Sequence, residues 1–146
     1  VYCMKAHDDF IFSGSADCSV RKWTPFGKQE KLATVHTQSV RCMEIFNGLL
    51  LTGGNDVNII QWDLNLVCIR TISGHHLSAI TVLREWNGHL YSAGEDYSLR
   101  VWDSGMNNIR TAQKHRDVIR GLEPYMGRMW SCSDDRTIRR WSVSGS

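Results

Sequence analysis

Apolar residues along the chain fall in short runs closed by turn signals, not in the longer amphipathic stretches of helices. Residues 40–45 form one such run, the Asn47-Gly48 dipeptide follows, and residues 49–52 form the next. Asn-Gly is a strong hairpin signal because both central residues of a tight turn take positive φ, which Asn and Gly tolerate. The arrangement recurs at Asn87-Gly88 and Met126-Gly127, with Asp8-Asp9 at the corresponding place near the start. A second turn in each stretch leads into Val20–Trp23, Ile59–Trp62, Leu99–Trp102 and Ile138–Trp141. A further strand is expected at about 30–35, 67–72 and 109–113. No window of twelve or more residues keeps a 3.6-residue apolar period, so no helix is predicted. Pro25 and Pro124 fall in or beside expected connections, as an all-β chain requires.

A repeat governs this pattern. Trp23, Trp62, Trp102 and Trp141 are separated by 39, 40 and 39 residues. Six residues before each tryptophan stands an aspartate (Asp17, Asp56, Asp96, Asp135), and four residues before each aspartate a hydroxyl (Ser13, Thr52, Ser92, Ser131). Counting back 26 residues from the last three tryptophans reaches His36, His76 and His115; the same step from Trp23 falls before Val1. Self-similarity with a period near 40 residues marks an architecture of repeated supersecondary units.

The segments SGSADCSVRKW (13–23), TGGNDVNIIQWD (52–63), SAGEDYSLRVWD (92–103) and SCSDDRTIRRWS (131–142) resemble the ends of WD40 repeats. Trp62-Asp63 and Trp102-Asp103 keep the literal Trp-Asp pair; Trp23-Thr24 and Trp141-Ser142 depart from it. The opening Gly-His survives once, in Gly74-His75-His76, where His76 and not His75 fits the 26-residue spacing. The resemblance covers the whole chain and implies an all-β fold of four WD40-type β-propeller blades, the last lacking its outer strand, in a partial or open ring. Blades are expected at about 1–35, 36–74, 75–114 and 115–146. The resemblance also implies a buried hydrogen-bond relay in each blade: His36-Thr52-Asp56-Trp62, His76-Ser92-Asp96-Trp102, His115-Ser131-Asp135-Trp141, and Ser13-Asp17-Trp23 without its histidine. Trp only donates, Asp only accepts, and Ser and His do both, so that order satisfies every group. Ser, His and Asp at fixed spacing suggest a hydrolase triad, but threefold repetition suits a fold, whereas catalysis needs one copy in a cleft.

Composition narrows the remaining classes. The chain is 42% apolar and 22% charged with a net charge of +2, so neither disorder nor a strong preference for nucleic acid or anionic lipid is implied. The five cysteines include no C-x-x-C pair and read as core-filling thiols in a reducing compartment. No metal, cofactor or catalytic motif is found, so the protein is expected not to be an enzyme. With no membrane span or signal peptide, an intracellular and more specifically cytoplasmic location is expected. A seven-bladed ring needs roughly 280 residues, more than the 146 here. The chain, which opens on Val1, is therefore expected to be a piece of a larger propeller or to pair with a second copy in a ring of about eight blades.

By family resemblance, protein partners dock on the end of the propeller lined by the start of each innermost strand and by the residue before the turn aspartate. These positions are Tyr2 and Ala16; Ser39, Arg41 and Asn55; Ala79, Thr81 and Glu95; and Val118, Arg120 and Asp134. Arg41, Arg120 and Tyr2 are the sharpest candidates for a protein or peptide partner, since Arg and Tyr serve as interface anchors. The rival expectation is a phosphate-bearing or nucleic-acid ligand on the fourth unit. There seven cations (Lys114, Arg116, Arg120, Arg128, Arg136, Arg139, Arg140) face four acids, Asp117, Glu123, Asp134 and Asp135. Arg21, Arg100 and Arg139 recur two residues before a Trp and are expected to pack on a neighbouring blade. Trp130 is expected between blades, and Trp86 to cap a blade end.

Overall fold

The computed structural model describes residues 1–142. β1 (Cys3–His7), β2 (Phe10–Gly14), β3 (Val20–Trp23) and β4 (Gln29–Ala33) form one antiparallel four-stranded sheet in sequential order. The second sheet is β5 (Val40–Phe46), β6 (Leu49–Gly54), β7 (Ile59–Trp62) and β8 (Cys68–Ile72). The third is β9 (Ile80–Trp86), β10 (His89–Gly94), β11 (Leu99–Trp102) and β12 (Asn108–Ala112). A three-stranded sheet follows, β13 (Ile119–Tyr125), β14 (Arg128–Ser133) and β15 (Ile138–Trp141). Among the described residues there is no helix, and so none long and apolar enough to cross a membrane. The outermost strands begin or end one or two residues from where the apolar runs place them.

The turns follow from backbone freedom. Asn47 and Gly48 take φ of 51° and 72°, Asn87 and Gly88 52° and 73°, matching the mirror-image turn whose twist suits a hairpin. The next hairpin, between the third and fourth strands, explains the Trp-Asp pair. Asp63 Oδ1 accepts from the backbone N–H groups of Asn65 and Val67 at 2.8 and 2.9 Å, and Asp103 Oδ1 accepts from that of Asn107 at 2.8 Å. Where Thr24 replaces the aspartate, its hydroxyl accepts from the Lys28 N–H at 3.2 Å.

Consecutive sheets stack face to face, and three apolar clusters fill the three junctions. Phe12 and Val20 of the first sheet pack against Val40, Met43, Leu50 and Trp62 of the second. Cys42, Leu51 and Ile59 pack in turn against Ile80, Leu83, Leu90 and Trp102. Tyr91, Ala93, Leu99 and Val101 pack against Ile119, Leu122, Met129 and Trp141. The same repeat positions are used each time, because strand side chains alternate between faces and each sheet has one neighbour on either side. Trp86 joins the third junction with its ring 6.0 Å from Tyr91. Trp130, at the repeat position of Phe12, Leu51 and Tyr91, is half-buried on the outer face of the fourth sheet, where no described sheet packs.

Leu50→Ala and Leu90→Ala, each truncating a side chain with 0% exposure, are expected to cost roughly 2–5 kcal/mol by leaving a cavity between sheets. Leu32→Ala, at 49% exposure on an outer strand, is expected to change stability by less than about 0.5 kcal/mol. Urea denaturation of the three variants checks the contrast.

Candidate protein-interaction site

The end of each sheet that carries the second turn is held by a buried chain of hydrogen bonds. In the second sheet the Trp62 indole N–H donates to Thr52 Oγ1 at 2.8 Å, which lies 2.7 Å from His36 Nε2, and His36 Nδ1 lies 2.8 Å from Asp56 Oδ2. A carboxylate can only accept, so Nδ1 carries the imidazole proton, Nε2 accepts, and the hydroxyl donates to it. The third sheet repeats this with Trp102, Ser92, His76 and Asp96 at 2.8, 2.7 and 2.9 Å. The fourth repeats it with Trp141, Ser131, His115 and Asp135 at 2.8, 2.7 and 2.7 Å. His75 stands apart, its ring edge-on to Trp102 at 4.9 Å. In the first sheet Trp23 donates to Ser13 at 2.8 Å, while Asp17 turns to the Ser19 hydroxyl and the Arg21 guanidinium at 2.6 and 2.9 Å.

The aspartates also shape the turn. Asp56 accepts from the N–H groups of Thr37 and Asn58, and Asp96 from those of Leu77 and Ser98. These bonds accompany a positive φ at the residue that follows: Cys18, Val57, Tyr97 and Arg136 lie between 60° and 67°. For a β-branched Val57 that conformation is costly and needs the support of the turn. Burial alone would raise the Asp56 carboxyl, yet the hydrogen bond from His36 and those from the two backbone donors hold it below its ordinary value. Asp96 is likewise held below its ordinary value against burial, by His76, the Ser98 hydroxyl and the Leu77 N–H. Asp17 is lowered to about 2, chiefly by its bonds to Ser19.

Beside these turns the innermost strands bulge. Pairing shifts between Val40 and Cys42 and between Ile119 and Gly121, leaving Arg41 and Arg120 as the extra residues; in β9 the shift at Ala93 and Gly94 leaves Thr81 likewise unpaired. A bulge re-aims a side chain out of the sheet's alternation. The carbonyls of Ser39, Ala79 and Val118, just before each bulge, accept from the N–H groups of Asn55, Glu95 and Asp134 at 2.9–3.0 Å. The candidate residues of each sheet are thus joined at one end. Tyr2, exposed at 57%, holds the corresponding place in the first sheet, and the Arg41 guanidinium carbon sits 5.2 Å from its ring centroid.

The candidates differ in what they have left to offer. Among the described residues no carboxylate lies within ion-pair distance of Arg41, and Asn55 Oδ1 is a buried acceptor without a partner. Arg120 is bound to Asp134 by two bonds at 2.6 and 2.9 Å. That bond raises its pKa, with the nearby charges of Glu95 and Asp117 adding to the effect. The Thr81 hydroxyl is turned inward, donating to the carbonyls of Ala93 and Ile119. Ser39 and Val118 are half-buried, Ala79 is buried and Ala16 exposed.

The polar partners of two of the recurring arginines lie in their own sheets: Arg21 binds Asp17 and Gln29, and Arg100 binds Thr111 with Asp96 at 3.7 Å. Each arginine stands four residues after the turn aspartate, close enough to neutralise it. The cations of the fourth unit do not all share one end of the sheet: Arg128 lies at the β13–β14 turn and Arg136 at the β14–β15 turn, which close opposite ends, and Arg120 is paired with Asp134.

Thr52→Val is expected to cost about 2–4 kcal/mol, since it leaves the buried Trp62 N–H and His36 Nε2 unpaired, whereas Ser13→Ala is expected to cost about 1 kcal/mol. Chemical denaturation distinguishes the two. Because the turn carboxyls titrate lower in the folded chain than at their ordinary 3.8, their stabilisation is complete above that pH and is lost as pH falls below it. Stability measured between pH 6 and about 2 is expected to drop on this acid limb, less steeply in Asp56→Asn, which is also less stable at neutral pH.

Residues 1–24 and 66–103 match the WD40 family profile, described as WD domain, G-beta repeat. Over 65 residues the chain is 38% identical to the ribosome biogenesis protein YTM1 of Candida glabrata, covering 42% of this chain and 14% of that protein. Among solved structures, the WD40 β-propeller domain of Doa1 is similar over 98% of this chain and 50% of its own, at 27% identity and a TM-score of 0.86. The computationally designed Ika4 protein shares the fold at 20% identity and a TM-score of 0.86, over 98% of this chain and 91% of its own. The chain thus spans a small part of one relative and half of another. WD40 propellers generally serve as protein-interaction scaffolds and are typically not enzymes. The repeated relay, the stacked antiparallel sheets and these likenesses agree: the chain carries WD40 repeats and folds as WD40-type β-propeller blades, each described sheet being one blade.

Proposed function

We propose that the protein is a non-catalytic scaffold that binds a peptide segment of a protein partner at the bulged end of its blades. Arg41 carries the reading. A bulge turns it out of the sheet, it stacks on the exposed Tyr2, and no carboxylate neutralises it among the described residues. A guanidinium on an aromatic ring suits a carboxylate-bearing peptide, with Tyr2 supplying apolar contact. Arg120, Asp134, Glu95, Thr81, Ser39 and Val118 form the flanking surface and shape it. The likeness to a ribosome biogenesis protein makes assembly factors the first place to seek the partner.

Nucleic acid or a phosphate-bearing ligand is the weaker reading, because recognition of a phosphate chain favours cations that converge, whereas Arg128 and Arg136 stand at opposite ends of the fourth blade and Arg120 is held by Asp134.

The test uses peptides selected from a random library against the whole chain. Arg41→Gln and Tyr2→Ala are each expected to weaken binding roughly tenfold or more, and Arg120→Gln by less, since Asp134 already engages it. Unchanged affinity in Arg41→Gln overturns the proposal. A loss of affinity as steep as several decades over the range of moderate salt, seen with single-stranded or duplex oligonucleotides, points instead to the rival.

A further inference from the structure

The turn between the third and fourth strands has the same backbone in the first three blades. In the second blade the Asp63 N–H donates to the Val67 carbonyl at 3.0 Å and the Leu66 N–H to the Asp63 carbonyl at 3.1 Å. Asp103, Asn107 and Met106 repeat this in the third at 3.1 and 2.9 Å, and Thr24, Lys28 and Gly27 in the first at 2.9 and 3.0 Å. Leu66, Met106 and Gly27, at one place in the turn, take φ of 59°, 61° and 79°. What differs is the side chain that opens the turn.

That backbone offers its N–H groups to an anion. Asp63 Oδ1 accepts from Asn65 and Val67, two and four residues on. Asp103 accepts from the side chain and the backbone of Asn107 and from the Gly105 N–H, and these bonds hold its carboxyl below its ordinary value. In the first blade the acceptor is the Thr24 hydroxyl, which is neutral and one bond nearer the backbone than a carboxylate oxygen. It takes the Lys28 N–H at 3.2 Å, and no group among the described residues takes the Phe26 N–H, which corresponds to those of Asn65 and Gly105. Residues 24–28 carry Lys28 and no acid, so nothing repels an added negative charge within the turn.

The Thr24 hydroxyl is also open to an enzyme. Thr24 is half-buried, as are Asp63 and Asp103 in blades that have a neighbour on either side, so its access does not depend on what packs against the first blade. Phe26 is 97% exposed, a Cβ on Gly27 would meet nothing within 4 Å, and four of the five residues of β4 are exposed. A hairpin with so little buried opens at small cost. Pro25 follows Thr24, whereas the chain's other proline follows Glu123, and Ser142, the hydroxyl at the same place in the fourth blade, precedes Val143. Proline after the acceptor, with its fixed φ and no N–H to satisfy, is the feature that one class of protein kinases reads.

We propose that Thr24 is a phosphorylation site for a proline-directed protein kinase, and that its phosphate takes the anion position of the turn. Thr24 Oγ1 attacks the γ-phosphorus of ATP, the bond from that phosphorus to the departing ADP oxygen breaks, and the hydroxyl proton passes to the kinase's base. The monoester's charged oxygens extend past the hydroxyl to the Phe26 and Lys28 N–H groups and tie β4 to β3, as Asp63 ties β8 to β7. This turn closes the end of the blade opposite the bulges, so the modification stands or falls separately from peptide binding at Arg41.

The test incubates the whole folded chain with ATP and a purified proline-directed kinase and maps the phosphate by mass spectrometry. Incorporation at Thr24 is expected, with its loss in Thr24→Val and in Pro25→Ala, both in an exposed turn and both keeping the native circular dichroism. In the phosphorylated chain the Phe26 and Lys28 amides are expected to exchange with deuterium roughly tenfold more slowly. The second ionisation of the phosphate, followed by its phosphorus resonance, is expected below its usual value of about 6, because the N–H groups favour the dianion. Thr24→Asp, which needs no kinase, is expected to slow exchange of the Phe26 amide as well. Absence of phosphate from Thr24 overturns the proposal, as does phosphothreonine whose flanking amides exchange no more slowly than in the unmodified chain.

Discussion

The buried relay from indole to hydroxyl to imidazole to carboxylate is the constraint on which the rest of each blade depends. It joins an aspartate in a turn, a histidine in the loop before the innermost strand, a hydroxyl on the second strand and a tryptophan on the third. Four polar groups would be expensive to bury singly. Joined in this order they cost little, because each donor has one acceptor and the carboxylate takes the last proton. The turn aspartate also accepts backbone N–H groups from both sides, so the relay sets the path of the loop as well as the packing of the side chains.

The interaction surface is a consequence of that fixed loop. With Asp56 pinned, Asn55 is placed to donate its N–H to the Ser39 carbonyl, and the innermost strand must then accommodate one residue too many before it regains register at Cys42. The surplus residue is Arg41. The same sequence of causes leaves Thr81 and Arg120 unpaired in the next two blades, but their side chains meet different fates, one turned back to two carbonyls and one bound to Asp134. A common backbone device thus presents different chemistry from blade to blade, as expected of a fold whose functions lie in what is grafted on it.

The blades were legible in the sequence because their signals are periodic: four side-chain types at constant offsets, and Asn-Gly turns at positions of positive φ. The bulges were not, since a register shift arises from a carbonyl captured across the blade and leaves no mark in the apolar pattern of residues 40–45. The recurrence of arginines such as Arg21 is visible in the sequence, but the reach of each guanidinium to the turn aspartate is not. At four residues in a strand leaving a tight turn, the Arg21 guanidinium reaches Asp17 at 2.9 Å. The role of Asp63 and Asp103 is hidden for a similar reason: their partners are backbone donors within four residues, which side-chain spacing does not show.

The first blade shows how much of the relay is separable. There Ser13 still accepts from Trp23, yet no described imidazole stands between hydroxyl and carboxylate, and Asp17 is satisfied by Ser19 and Arg21. The aspartate keeps its low pKa of about 2 in a more open setting, so its ionisation depends on local donors and not on burial beside a histidine. Ser98 and Thr137 donate in the same way to Asp96 and Asp135 in blades that do carry the histidine. Two independent sets of donors therefore converge on those carboxylates, one from the turn and one from the relay. The turn alone suffices to orient the aspartate; the histidine adds the tie between that turn and the buried tryptophan. A blade can accordingly hold its loop while losing part of its cross-link to the core, as the first blade does.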